Sequence, residues 1–110
     1  MTNTKITFDV YQRQAIKTWN EEPSHEQRVL NATLGLCGEA GEVAELIKKL
    51  YYHGKPLSLA DLQDELGDVL YMLTILAVEN GFDLSEIAER NNKKLKQRYP
   101  DGFVTGGGVR

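Results

Sequence analysis

The sequence predicts an all-α fold, a bundle of four to five helices, on the basis of three observations. Apolar residues recur at three- and four-residue spacing in four segments of the chain. Residues typical of helix caps and helix ends separate these segments. No segment shows the strict alternation of apolar and polar residues that is typical of a half-buried strand.

The first helix is predicted to begin after Thr7, which can cap it, and to run to about Asn20. Pro23 disfavours helical backbone at the preceding residue, so a loop is expected there. The apolar positions of this helix recur at helical spacing and are Phe8, Tyr11, Ala15 and Trp19.

A second helix is predicted from about His25 to Tyr52, ended by Gly54 at a C-cap position and by Pro56 beyond it. Its apolar face alternates steps of four and three residues and comprises Leu36, Ala40, Val43, Ile47 and Leu50. Ser58 can cap the third helix, which is expected to close at residues 80–81. The apolar face of this third helix comprises Leu62, Leu66, Val69, Leu73 and Leu76.

The fourth helix is predicted to start with a capping box made by Asp83 and Glu86 and to run to about Tyr99. Residues 104–110 carry three consecutive glycines and are expected to be a disordered tail. We therefore expect one helical domain over residues 1–103.

Length and composition exclude several classes of protein. A chain of 110 residues fits about one domain. Its net charge of −3 argues against binding to a nucleic-acid backbone. No apolar run approaches the roughly 18 residues that a membrane span needs. The single cysteine, Cys37, is expected to be a small buried residue, and with no secretory signal the expected location is the cytoplasm.

Two short acidic motifs repeat the same order of residue types. Glu39 and Glu42 flank an apolar residue and a glycine, and Glu65 and Asp68 do the same further along the chain. In each helix the apolar arc is centred about 60° from the first acid of the pair. Helices that pack through these arcs would bring the four carboxylates together. Either pair alone would most often be a solvated helix edge, but the matched phase favours a functional site.

Glycines accompany the first acidic motif at Gly35, Gly38 and Gly41. Each costs about 1 kcal/mol relative to Ala inside a helix. We expect such a cluster where another backbone or a ligand approaches the helix closely.

Four carboxylates at close range need a compensating charge to stay ionised at neutral pH. Mg²⁺ prefers carboxylate and water oxygens and keeps positions open for substrate phosphates, and Mn²⁺ is the alternative ion. One side of the fourth helix carries Asn91, Lys94 and Arg98, which could hold phosphate oxygens. Considered alone, the two cations are more typical of a solvated helix face. Together these residues predict a metal-dependent polyphosphate hydrolase.

Residues 34–49 and 64–71 resemble the first and second signatures of MazG-like nucleotide pyrophosphohydrolases. Asn91, Lys94, Arg98 and residues 99–103 resemble the end of that family's domain, and the resemblance covers roughly residues 8–103. One departure is Gly38, which stands where some relatives carry an additional acid.

The resemblance implies an all-α fold completed by homodimer or homotetramer formation, and hydrolysis of a nucleoside triphosphate between its α and β phosphates. It implies that the metal ligands and catalytic acids are Glu39, Glu42, Glu65 and Asp68. It places Asn91, Lys94 and Arg98 on the substrate-phosphate side. The expected role is house-cleaning of the nucleotide pool. The alternatives are a dUTP- or dCTP-type or phosphoribosyl-ATP pyrophosphohydrolase, or a non-catalytic helical interaction module.

Overall fold

Four α-helices make up the regular secondary structure of the described residues. The computed structural model describes residues 5–105. The helices are α1 Phe8–Ile16, α2 His25–His53, α3 Leu59–Glu79 and α4 Leu84–Arg98. The predicted all-α fold is thereby confirmed. Most of the tail predicted to be disordered, residues 106–110, lies outside the described residues.

Helix α1 ends at Ile16, so its predicted extension to about Asn20 is wrong. The backbone N–H groups of Thr18 and Trp19 form turn hydrogen bonds of 3.1 and 3.2 Å to the carbonyls of Ala15 and Ile16. The side chains of Thr18 and Trp19 instead reach α3, where each finds a hydrogen-bond partner. These long-range contacts outweigh the continuation of the local apolar pattern.

The helix caps follow the predicted chemistry. The Thr7 hydroxyl accepts a hydrogen bond of 3.1 Å from the backbone N–H of Val10, and Asp83 donates its N–H to the Glu86 carboxylate at 3.1 Å. Gly54 adopts a φ of 63° at the C-cap of α2, in the left-handed region that favours glycine. A further capping box, formed by Ser24 with Gln27, starts α2 and was not anticipated.

The main interhelical packing joins α2 to α3. The buried residues of this core and its margins are Ala15, Ala32, Thr74, Ile75, Ala77 and Leu84. At Gly35 a Cβ would lie 2.6 Å from the Sδ of Met72, so the close approach there is to a side chain and not to the backbone or ligand that was expected. In the described part of the chain, a Cβ at Gly38, Gly41 or Gly67 would meet no atom within 4 Å apart from its chain neighbours and the backbone of its own helix.

Helix α4 packs against α1 and α3, and within residues 5–105 it makes no contact with α2. Leu66 and Leu73, which belong to the predicted apolar face of α3, are 50% and 36% exposed in the single chain. Cys37 is likewise exposed, not buried as predicted. Other large apolar residues left exposed include Leu30, Leu34, Tyr51, Tyr52, Leu59, Leu95 and Phe103.

The chain is extended for its length. The radius of gyration of its Cα atoms is 17.2 Å, whereas a compact domain of this size has about 13 Å. The described helices include none with the length and apolar character required to cross a membrane.

Candidate metal centre

Three carboxylates from two helices converge on the surface between α2 and α3. Glu39 comes from α2, whereas Glu65 and Asp68 come from α3, and one carboxylate oxygen from each lies within 4.8 Å of the others. Glu39 and Glu65 are half-buried and Asp68 is exposed. Helical spacing places Glu65 and Asp68 on adjacent turns, and the packing of α2 on α3 brings Glu39 beside them. The structure thus brings together three of the four predicted acids.

Glu42, the fourth predicted acid, lies outside this trio and is exposed. Its charge nevertheless reaches the site. Burial raises the pKa of Glu65, and the negative charges of Asp68, Glu39, Glu42 and Asp64 raise it further, in that order. Among residues 5–105, no cation contributes to this shift. The site is therefore a set of oxygen donors with uncompensated like charge, which is the environment that a hard divalent cation stabilises.

The structure does not bring the three predicted phosphate-binding residues to the carboxylates of the same chain. Asn91 and Lys94 are exposed on α4, and Arg98 is half-buried near its end. Helix α4 is fixed through its beginning, where Gln12 bonds to Asp83 at 3.0 Å. Because α4 makes no contact with α2 within residues 5–105, the phosphate-binding role of these residues stays a prediction.

Aromatic residues lie next to the carboxylates, and none of them belongs to the predicted set of site residues. Tyr71 lies one helical turn after Asp68, and its hydroxyl is 2.8 Å from the Thr18 hydroxyl. Trp19 meets the Tyr71 ring edge-on, with 6.4 Å between ring centroids. Burial raises the pKa of Tyr11, and Tyr71 and Asp68 raise it further. The three-residue spacing between Asp68 and Tyr71 could have indicated from the sequence that Tyr71 lies beside the carboxylates.

Outside this cluster, the carboxylate of Glu79 at the end of α3 holds the loop between α1 and α2 in place. It accepts hydrogen bonds from Arg28 Nε at 2.7 Å and from Trp19 Nε1 at 3.0 Å, and it contacts His25 Nδ1 at 3.1 Å. Its side chain is only 9% exposed. The Arg28 guanidinium also donates to the Pro23 carbonyl at 2.6 Å. Because these donors satisfy Glu79, it is a structural residue.

Replacing Glu79 with Gln should destabilise the fold. The hydrogen bond from Arg28 is the main cause that lowers the pKa of Glu79 below 4.5, with further hydrogen bonds from His25 and Trp19. A lowered pKa stabilises the folded state above the unfolded-state pKa, and this contribution disappears as the pH falls through the folded-state pKa. We expect Glu79→Gln to lower the melting temperature at pH 7 by on the order of 10 °C.

The difference between wild type and Glu79→Gln should shrink as the pH falls below 4.5. Thermal melts followed by circular dichroism at several pH values measure it. The matched control is Glu26→Gln, an exposed acid in the first turn of α2. Equal melting temperatures for wild type and Glu79→Gln at pH 7 would contradict the structural role of this carboxylate.

Comparison with known proteins identifies relatives of the chain. A family profile described as the MazG nucleotide pyrophosphohydrolase domain matches residues 27–103. The chain is 39% identical over 80 residues to the Gene 37 protein of Mycobacterium phage L5, covering 69% of this chain and 70% of that protein. It is also 39% identical over 85 residues to dCTP pyrophosphatase 1 of Rattus norvegicus and of Mus musculus.

The matches to the two rodent proteins cover 72% of this chain but only 49% of each of them, so the chain spans about half the length of these relatives. No solved structure gives a significant match.

Proposed function

Because the chain belongs to the MazG nucleotide pyrophosphohydrolase family, we propose that it is a metal-dependent nucleoside triphosphate pyrophosphohydrolase. The reaction adds water across the anhydride between the α and β phosphates, which yields a nucleoside monophosphate and pyrophosphate. The single observation that supports this function best is the convergence of Glu39, Glu65 and Asp68. The proposed role in the cell is removal of unwanted nucleotides.

The donor set fits Mg²⁺ or Mn²⁺, since each of the three residues offers a carboxylate oxygen and no nitrogen or sulfur ligand belongs to the cluster. Such an ion, when bound, would make a coordinated water more acidic and would neutralise charge on the phosphates. Glu39, Glu65 and Asp68 would hold the ion. Glu42 lies outside the trio but within electrostatic reach of Glu65, and we assign it either to the same ion or to the proton of the attacking water.

A homo-oligomer, dimer or tetramer, would complete this site. The extended shape of the chain and the exposed Leu59, Leu66 and Leu73 on α3 support assembly, because a monomer would leave this apolar surface in water. We propose that a neighbouring subunit supplies the α4 residues Asn91, Lys94 and Arg98 to the substrate phosphates. The separation of α4 from α2 within one chain supports this arrangement.

Two of the relatives are named dCTP pyrophosphatase, which makes dCTP the first substrate to test. A dUTP-type or phosphoribosyl-ATP activity stands as the alternative within the same reaction class.

A panel of triphosphates tests the proposed function. Canonical, deoxy and base-modified nucleoside triphosphates and phosphoribosyl-ATP are incubated with the protein in Mg²⁺, in Mn²⁺ or in excess chelator, and released pyrophosphate is measured. We expect release from at least one nucleotide with metal, and none with chelator. If no nucleotide releases pyrophosphate with either metal, the proposed function is wrong.

A further inference from the structure

Tyr11 lies on the face of α1 that packs against α3. Ala15 follows it by one turn and is buried, and Thr18 follows by about two turns and contacts Tyr71 of α3. Tyr11 and Ala15 are four residues apart and share one side of α1, whereas Thr18 lies in the turn that follows the end of α1 at Ile16. Asp68 lies one turn before Tyr71, so the carboxylate cluster begins where this face of α1 meets α3.

Tyr11 and Tyr71 differ in whether their hydroxyl groups form hydrogen bonds within the protein. The Thr18 hydroxyl has a single proton, and it donates this proton to the Ala15 carbonyl at 2.8 Å. In the 2.8 Å contact between Thr18 and Tyr71, the phenol of Tyr71 must therefore be the donor. The Tyr71 hydroxyl therefore already donates its proton in a hydrogen bond within the protein.

The Tyr11 hydroxyl, in contrast, donates no hydrogen bond within residues 5–105. Over residues 5–105, no side-chain hydrogen bond involves it. The same part of the chain has no fully buried side-chain oxygen or nitrogen without a partner, so this hydroxyl keeps some contact with solvent although the residue is half-buried. Burial, Tyr71 and Asp68 raise the pKa of Tyr11, in that order, which agrees with a phenol on the side of α1 that faces α3. A donor without a partner among residues 5–105 thus lies beside a cluster of acids, next to Tyr71, whose own proton is already donated.

We propose that the Tyr11 hydroxyl donates a hydrogen bond to a phosphate oxygen of the triphosphate bound at the carboxylate cluster, an inference that rests on the proposed function. A metal-bound triphosphate adds negative charge to an anionic site, and an uncharged donor stabilises that charge. A carboxylate cannot take this role, because an ionised carboxylate only accepts hydrogen bonds. Tyr11 is in this view a substrate-binding residue on the α1 side of the site.

The substitution Tyr11→Phe tests the proposal, because it removes one oxygen and keeps the packing ring. The control is Tyr52→Phe, since Tyr52 is 81% exposed near the end of α2. We expect Tyr11→Phe to lower kcat/KM for pyrophosphate release by roughly 10- to 100-fold, the range for a lost hydrogen bond to a charged group. Inhibition by one product, the monophosphate or pyrophosphate, should also weaken.

The melting temperature and its response to Mg²⁺ should remain those of wild type in both variants, and Tyr52→Phe should keep wild-type kinetics. Unchanged kinetics in Tyr11→Phe, with an active wild type, would overturn the inference and leave the proposed function intact. A loss of activity accompanied by a lost Mg²⁺ response or a lowered melting temperature would also overturn it, since Tyr11 would then act on the metal site or the fold. A wild type that releases no pyrophosphate overturns both.

Discussion

Replacing Asp68 with Asn is expected to lower kcat/KM for pyrophosphate release by on the order of 10³-fold or more. The substitution keeps the size of the side chain but removes one of the three charges that converge within 4.8 Å. A neutral amide oxygen is a weaker ligand for a hard divalent cation than a carboxylate. Steady-state pyrophosphate release at several Mg²⁺ concentrations measures the loss, and higher Mg²⁺ should restore part of it.

The matched control is Asp61→Asn, on an exposed residue two turns earlier in α3 that is not among the groups acting on Glu65. It should keep activity near that of wild type. Circular dichroism should show the same helical content in all three proteins, because Asp68 is exposed and contributes little to packing. Full activity in Asp68→Asn would show that the carboxylate cluster does not bind the catalytic metal.

Mg²⁺ should stabilise the wild-type fold, with a rise in melting temperature on the order of 10 °C at saturating metal. The reason is the like charge around Glu65, whose pKa is raised by burial and then by Asp68, Glu39, Glu42 and Asp64. A bound divalent cation compensates this charge in the folded state only. Thermal melts in increasing MgCl₂, compared with melts in NaCl of equal ionic strength, separate specific binding from salt screening.

Glu65→Gln serves as the test variant for this stabilisation. It removes the charge at the centre of the cluster and should abolish most of the Mg²⁺ response. It should also make the metal-free protein no less stable than wild type, since it relieves like-charge repulsion. An equal Mg²⁺ response in wild type and Glu65→Gln would place the bound ions elsewhere.

Local periodicity predicted the parts of this protein that depend on single helices. The caps at Thr7, Asp83 and Gly54 follow from short sequence signals, because capping is a contact between neighbours in the chain. The convergence of Glu39 with Glu65 followed from equal phase in two helices that pack together. The same logic placed Glu42 in the cluster, where the structure leaves it outside the trio.

Contacts between residues distant in sequence were not predictable in this way. Glu79 binds Arg28 and Trp19 across 51 and 60 residues, and nothing in the pattern of α3 distinguishes Glu79 from a solvated acid. For the same reason, the sequence placed the end of α1 too far along the chain. Leu66 continues the apolar arc of α3, but whether it is buried depends on which neighbour covers that side. Periodicity identifies a face and does not identify its partner.

The most direct test of the proposed reaction is the identity of the phosphoanhydride bond that is broken. Phosphorus NMR of the protein with Mg²⁺ and dCTP, or with whichever nucleotide of the panel is turned over fastest, follows all phosphorus-containing products at once. We expect nucleoside monophosphate and pyrophosphate in equal amounts, and no turnover in excess chelator. Orthophosphate with nucleoside diphosphate as the initial products, or turnover that persists in chelator, would contradict the proposed reaction.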